Sequence, residues 1–149
     1  MFLMKLFTSK TQKIGELGEE LACKYLVKQG HKILERNFTT KVGEIDIITQ
    51  KDLSVYFFEV KSAKTSLLHS RTTGSHNFID YKQKNVASGP YIAPEENFHK
   101  HKQRKFLKTI EMYCAYKKVS YETTKASLLV VYIDLENLKS KIKMYDVVS

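Results

Sequence analysis

The sequence predicts a mixed sheet of about five strands with helices packed on it, α/β or α+β in class, and three observations carry that expectation. Two segments, residues 9–29 and about 98–117, place apolar residues at the three- and four-residue spacings of an amphipathic helix. Five short runs rich in β-branched and aromatic residues lie between and after them. The resulting order is helix, three strands, loop, helix, two strands, and both helices need an apolar sheet face to cover.

Taken in chain order, Ile14, Leu17, Leu21, Ala22, Tyr25 and Leu26 form the stripe of the first helix, with Ser9 or Thr11 available as a cap and Gly30 as a stop. "KILERNF" (32–38) reads as a short strand, and "EIDIIT" (44–49) and "SVYFFEVKSA" (54–63) as stronger ones, with "TTKVG" and "KDL" as the turns. From Thr65 to about Glu96 the pattern dissolves into an irregular stretch that holds both prolines, Pro90 and Pro94. A loop of that length, 65–96, in a compact domain is usually functional or mobile. Phe106, Leu107, Ile110, Tyr113 and Cys114 mark the second helix, and "ASLLVVYID" and "KIKMYDVV" a final pair of strands.

At 149 residues and 42% hydrophobic content, the chain reads as one domain, 1–149, with a core that needs no metal or disulfide staple. The net charge of +9 favours an anionic partner, either nucleic acid or an anionic membrane surface. "MFLMKLF" is broken by Lys5 and is too short for a signal peptide or a membrane span, so the expectation is a cytoplasmic protein with no membrane segment. Cys23 and Cys114 each fall on the apolar side of a helix, as reduced core thiols do. His69, His76, His99 and His101 lack metal-ligand spacing and read as solvated residues.

The chemistry concentrates in residues 42–64, where charged residues stand among isoleucines and phenylalanines. A turn centred between Asp52 and Leu53 makes opposed residues sum to 105. One face then pairs Ile45 with Val60, Ile47 with Phe58 and Thr49 with Tyr56; the other pairs Glu44 with Lys61, Asp46 with Glu59 and Ile48 with Phe57. Opposed β-carbons lie about 4.5–5.5 Å apart, so Asp46 and Glu59 become adjacent like charges. A neighbouring ammonium, a raised pKa or a divalent cation must compensate them, and Lys61 is near enough to join. The competing reading is a set of surface ion pairs on a solvated half-sheet. Ile48, Val55 and Phe57 on the charged face weigh against it.

"GELGEELACKYL" (15–26), "ILERNF" (33–38), "VGEIDII" (42–48), "FFEVKS" (57–62) and "PEENFHKHKQRKFLKTIEMYC" (94–114) together resemble the YraN-like family of the PD-(D/E)xK endonuclease-like superfamily. The resemblance covers most of residues 11–133 and implies an α/β, restriction-endonuclease-like core similar to Holliday-junction resolvases. It makes Asp46 the metal-binding acid, Glu59 the second acid, Lys61 the catalytic lysine and Glu19 a further acid on the first helix. Lys102 and Gln103 match the family's Lys-Gln at the start of its second core helix, and Glu44 its G-E-I-D glutamate. Two departures stand out: the Lys61-to-Lys102 stretch is longer than usual for the family, and "SLLVV" (127–131) replaces an R-F-D-V-V strand.

The implied function is metal-dependent hydrolysis of nucleic acid, DNA ahead of RNA. Mg²⁺ or Mn²⁺ would be held by Asp46, Glu59, the Val60 carbonyl and Glu19. Arg36, Lys102, Gln103, Arg104 and Lys105 would contact phosphates. A binding domain that keeps the fold with little or no cleavage is the rival. A homodimer is expected of a junction-cutting enzyme, because two symmetric nicks need two sites.

Overall fold

The structure, a computed structural model, describes residues 10–65 and 98–147; apart from Thr65, the loop expected at 65–96 lies outside them, with His69 and His76. The elements are α1 (Lys10–Lys28), β1 (Lys32–Thr39), β2 (Glu44–Lys51), β3 (Ser54–Lys64), α2 (Lys100–Lys117), β4 (Thr124–Asp134) and β5 (Lys139–Asp146), with a short 3-10 turn at Tyr121–Thr123. Each lies where the patterning places it.

One sheet runs β1-β2-β3-β4-β5. The first three strands form an antiparallel meander, β4 joins β3 in parallel, and β5 returns antiparallel. A parallel pair requires a crossover connection, and α2 lies within it. The result is an α/β fold with a mixed sheet flanked by helices, consistent with a restriction-endonuclease-like core.

The two helices cover the two faces. With α1 pack Ile47, Phe58, Val60, Leu129, Val131 and Ile133, together with the helix's own Ala22, Cys23 and Leu26. With α2 pack Ile45, Ile48, Phe57, Leu128, Val130 and Tyr132, together with Phe106, Ile110, Tyr113 and Cys114. Consecutive residues of β3 and β4 therefore feed opposite layers, which explains why "LLVVYI" (128–133) is hydrophobic throughout instead of alternating. Phe57 and Phe58 are both fully buried, one in each layer, and each such burial stabilises by roughly 1.5–3 kcal/mol. Cys23 and Cys114 are buried free thiols, one per layer.

The expected β2–β3 register holds over five pairs, from Lys51↔Ser54 to Ile47↔Phe58. Asp52 takes the positive φ of that two-residue turn, 54°, so Leu53 is spared it. Beyond Ile47↔Phe58 the expectation fails: Asp46↔Glu59, Ile45↔Val60 and Glu44↔Lys61 are not ladder pairs. Ile45 lies in the α2 layer and Val60 in the α1 layer. A regular strand would put Ile45 and Ile48 on opposite faces, yet both pack with α2, so the alternation of β2 breaks at Asp46. Strand β1 breaks at the same level. Arg36 and Phe38 pair with Ile47 and Ile45, and between them Asn37 has φ of 52°. Phe38 then stacks edge-on against Tyr113 of α2, while Arg36 meets α1.

Candidate active site

The break at Asp46 creates the site. The Val60 N–H donates to Asp46 Oδ2 at 2.7 Å, so a side-chain carboxylate takes the place that a backbone carbonyl of β2 would hold in a continued ladder. Strands β2 and β3 fork here, and the acid is wedged in the fork. From this buried position Asp46 senses charges on both faces of the sheet.

From the α2 face come Glu59 and Lys61, which lie on β3 between Phe57 and Ala63, two residues that pack in that layer. Lys61 Nζ donates to Glu59 Oε1 at 2.7 Å. From the α1 face comes Glu19. Its helix sits tightly on β3 because Gly18 has no side chain: a Cβ there would overlap Ser62 Oγ and lie 2.9 Å from Ser62 Cβ. Gly18 thus sets α1 beside the residue that follows Lys61, and Glu19 comes with it. Arg36 holds Glu19 at 3.7 Å and Glu20 at 3.3 Å, and the Asn37 side chain hydrogen-bonds to Glu19.

The electrostatics follow from this crowding. Burial pushes the Asp46 carboxyl up to about 7, with the charges of Glu59 and Glu19 acting in the same direction and the Val60 N–H and Lys61 opposing them. Burial also raises Glu19; Arg36 and Asn37 counter it, and Glu44 adds to it. Three carboxylates from α1, β2 and β3 therefore sense one another around one fork. Among the described residues no group of three His, Cys, Asp or Glu side chains is drawn together as a ready-made metal cage. The donors that suit a hard cation are the Asp46 and Glu59 carboxylates, with Glu19 contributing charge from the other face.

The remaining expected residues divide. Arg36 is turned into the Glu19–Glu20 ion pairs and does not stand as a free phosphate contact. Gln103 uses its Nε2 to donate to the Phe98 carbonyl at 2.9 Å, tying off the start of α2. Lys102, Arg104 and Lys105 are exposed, and Lys105 lies against Gly43, at the turn that feeds β2 into the fork. His99 and His101 are exposed, as solvated histidines should be. Asn37 drew no functional expectation from the sequence; its signal was an Asn within a strand, the residue after Gly that best tolerates a left-handed backbone. No helix among the described residues is long and apolar enough to cross a membrane.

Comparison with known proteins bears on the same span. A UPF0102 protein of Caldanaerobacter subterraneus subsp. tengcongensis is 33% identical over 135 residues, covering 91% of this chain and 90% of that one. One from Campylobacter jejuni subsp. jejuni is 40% identical over 99 residues, 66% of each chain. One from Campylobacter fetus subsp. fetus reaches 57% over 53 residues, 36% of this chain and 47% of its own. The model of the uncharacterised protein family UPF0102 matches residues 18–149, a span that begins at the glycine seating α1 and includes the fork at Asp46, and the chain belongs to that family.

Proposed function

We propose that the protein is a metal-dependent phosphodiesterase that hydrolyses nucleic acid, with DNA as its substrate. One observation carries the reading: a buried aspartate, raised to about 7 by burial and by two flanking glutamates, lies in a strand fork beside a lysine. Such an excess of negative charge is what a divalent cation relieves. Asp46 and Glu59, with the carbonyl of Val60, are the hard oxygen donors that would hold Mg²⁺ or Mn²⁺. Bound there, the ion would polarise a phosphate and lower the pKa of water.

The chain's own groups do the rest. Lys61, paired here with Glu59, would place its ammonium against the charge that develops on the phosphate if a cation took its place beside Glu59. Arg36 and Asn37 hold Glu19 in place and oppose the upward push of burial on its carboxyl. Lys102, Arg104 and Lys105 grip phosphates without reading sequence. A homodimer would bring two such forks to one branched substrate.

The test incubates purified protein with branched, single-stranded and duplex DNA in Mn²⁺. Asp46→Asn, Glu59→Gln and Lys61→Met are each expected to lower cleavage by at least roughly 10²-fold with the circular dichroism spectrum unchanged. Undiminished cleavage in any of the three overturns the mechanism. A second reading, a nucleic-acid-binding domain without cleavage, is favoured by the 2.7 Å Lys61–Glu59 pair, which already neutralises one of the two donors. A binder holds DNA equally well in EDTA and after Asp46→Asn.

A further inference from the structure

The edge strand β5 carries Lys139, Lys141 and Lys143 at alternate positions. Their partners on β4 are Asp134, Tyr132 and Val130, and the last two belong to the α2 layer, as does Leu128 opposite Tyr145. The lysines therefore line the sheet face that bears Glu59 and Lys61. The register joins them directly, because Val130 pairs with Lys61 on one side and Lys143 on the other. Lys61 and Lys143 share one row of the sheet, two strands apart, roughly 10 Å. Lys143 Nζ sits 5.5 Å from the centre of the Tyr132 ring, which holds the near end of the ladder down on that face. Lys139 and Lys141 are exposed and have no ion-pair partner among the described residues. Asp134, the ladder partner of Lys139, is buried and engaged by the N–H groups of Glu136 and Asn137 and by the Asn137 amide.

We infer that the β5 ladder is a track for the sugar-phosphate backbone of the substrate strand, leading it across this face of the sheet to Lys61 from the β5 edge. The inference rests on the nucleic-acid reading above and gives that strand a path. Alternate residues on a strand repeat at about 7 Å, roughly two phosphate steps along one strand's axis, so successive lysines address successive stretches of one backbone. Lys105, beside Gly43, stands near the β2 side of the fork, so cations flank the acids at both ends of the path. The competing explanation is that lysines on an edge strand merely block pairing with other sheets.

The experiment measures binding of fluorescein-labelled duplex and single-stranded DNA by the full chain in EDTA, across a salt series. The variants are Lys139→Gln/Lys141→Gln/Lys143→Gln and, as a charge-matched control on exposed positions of α1, Lys10→Gln/Lys13→Gln/Lys28→Gln. The ladder variant is expected to lose at least roughly tenfold in affinity and about 2–3 from the salt slope for duplex, and the control far less. Equal losses in both variants, or none in the ladder variant, overturn the track. Ladder-dependent binding to phosphatidylserine vesicles without ladder-dependent DNA binding overturns it as well. Failure of hydrolysis is separately visible: ladder-dependent DNA binding with no cleavage in Mn²⁺ removes the phosphodiesterase and leaves the track. Cleavage lost in Asp46→Asn with binding unchanged in the ladder variant does the reverse.

Discussion

Asp46 is held by one hydrogen bond from Val60 and opposed by two carboxylates, so its protonation is tied to the stability of the fold. Its folded-state pKa, about 7, lies above the ordinary 3.8. Between those values the unfolded chain has released the proton while the folded one keeps it, so stability falls as pH rises from about 4 to about 7 and levels off above. Asn keeps an acceptor for the Val60 N–H without the charge. In EDTA, Asp46→Asn is therefore expected to melt higher than the wild type, by a margin that widens from pH 4 to pH 7 and then holds, followed by thermal denaturation. A constant margin across that range would show that the carboxyl is not raised. Asn37 is a second residue-scale case. Its φ of 52° costs an ordinary L-residue roughly 1–2 kcal/mol, so Asn37→Ala should destabilise by about that much while Asn37→Gly keeps the backbone and loses the hydrogen bond to Glu19. Urea titration of the two variants separates the effects.

The seat of α1 on β3 decides where Glu19 stands, and Gly18 decides the seat. Gly18→Ala forces helix and strand apart against Ser62, an overpacking expected to cost roughly 1–3 kcal/mol. Ser62→Gly removes the opposing atoms, so the double variant should recover part of that loss, and a double-mutant cycle in urea reads the coupling directly. Additive losses would mean that α1 does not touch β3 at Gly18. The "GELGEE" pattern is thus first a packing motif, and it also sets the charge of Glu19 where Asp46 senses it. The hairpin shows the same economy of means. Asp52 supplies the one left-handed residue the two-residue turn requires, and the register it sets carries the charged residues of β2 and β3 to the fork.

At the scale of the molecule, the sheet is covered on both faces, and each layer contains one thiol. Burial pushes both Cys23 and Cys114 above the ordinary thiol range, which disfavours the reactive thiolate. The native protein should resist iodoacetamide and label at two sites in denaturant; labelling of Cys23 alone under native conditions would report that the α1 layer opens independently. The lysine ladder on β5 also belongs to this scale, because only the pairing of three strands puts Lys143 in the row of Lys61.

The positions of the helices and strands could be read from spacing, because an amphipathic stripe and a β-branched run are local properties of the chain, and the register of the hairpin followed from its turn. Asp46, Glu59, Lys61 and Glu19 stood out as candidates through motif resemblance. Their arrangement was not legible. Strict alternation predicts Asp46 opposite Glu59, whereas the folded chain breaks both β1 and β2 at Asn37 and Asp46, and a carboxylate replaces a ladder carbonyl. The partners of Arg36 and Gln103 were hidden for a related reason: a sequence shows a cation or an amide but not the group it meets, which for Arg36 is Glu19 and Glu20 on another element and for Gln103 is the carbonyl of Phe98, five residues back. Periodicity along the chain determined which segments fold and into what. Contacts between segments, whose energies no local pattern encodes, decided which charges share the fork.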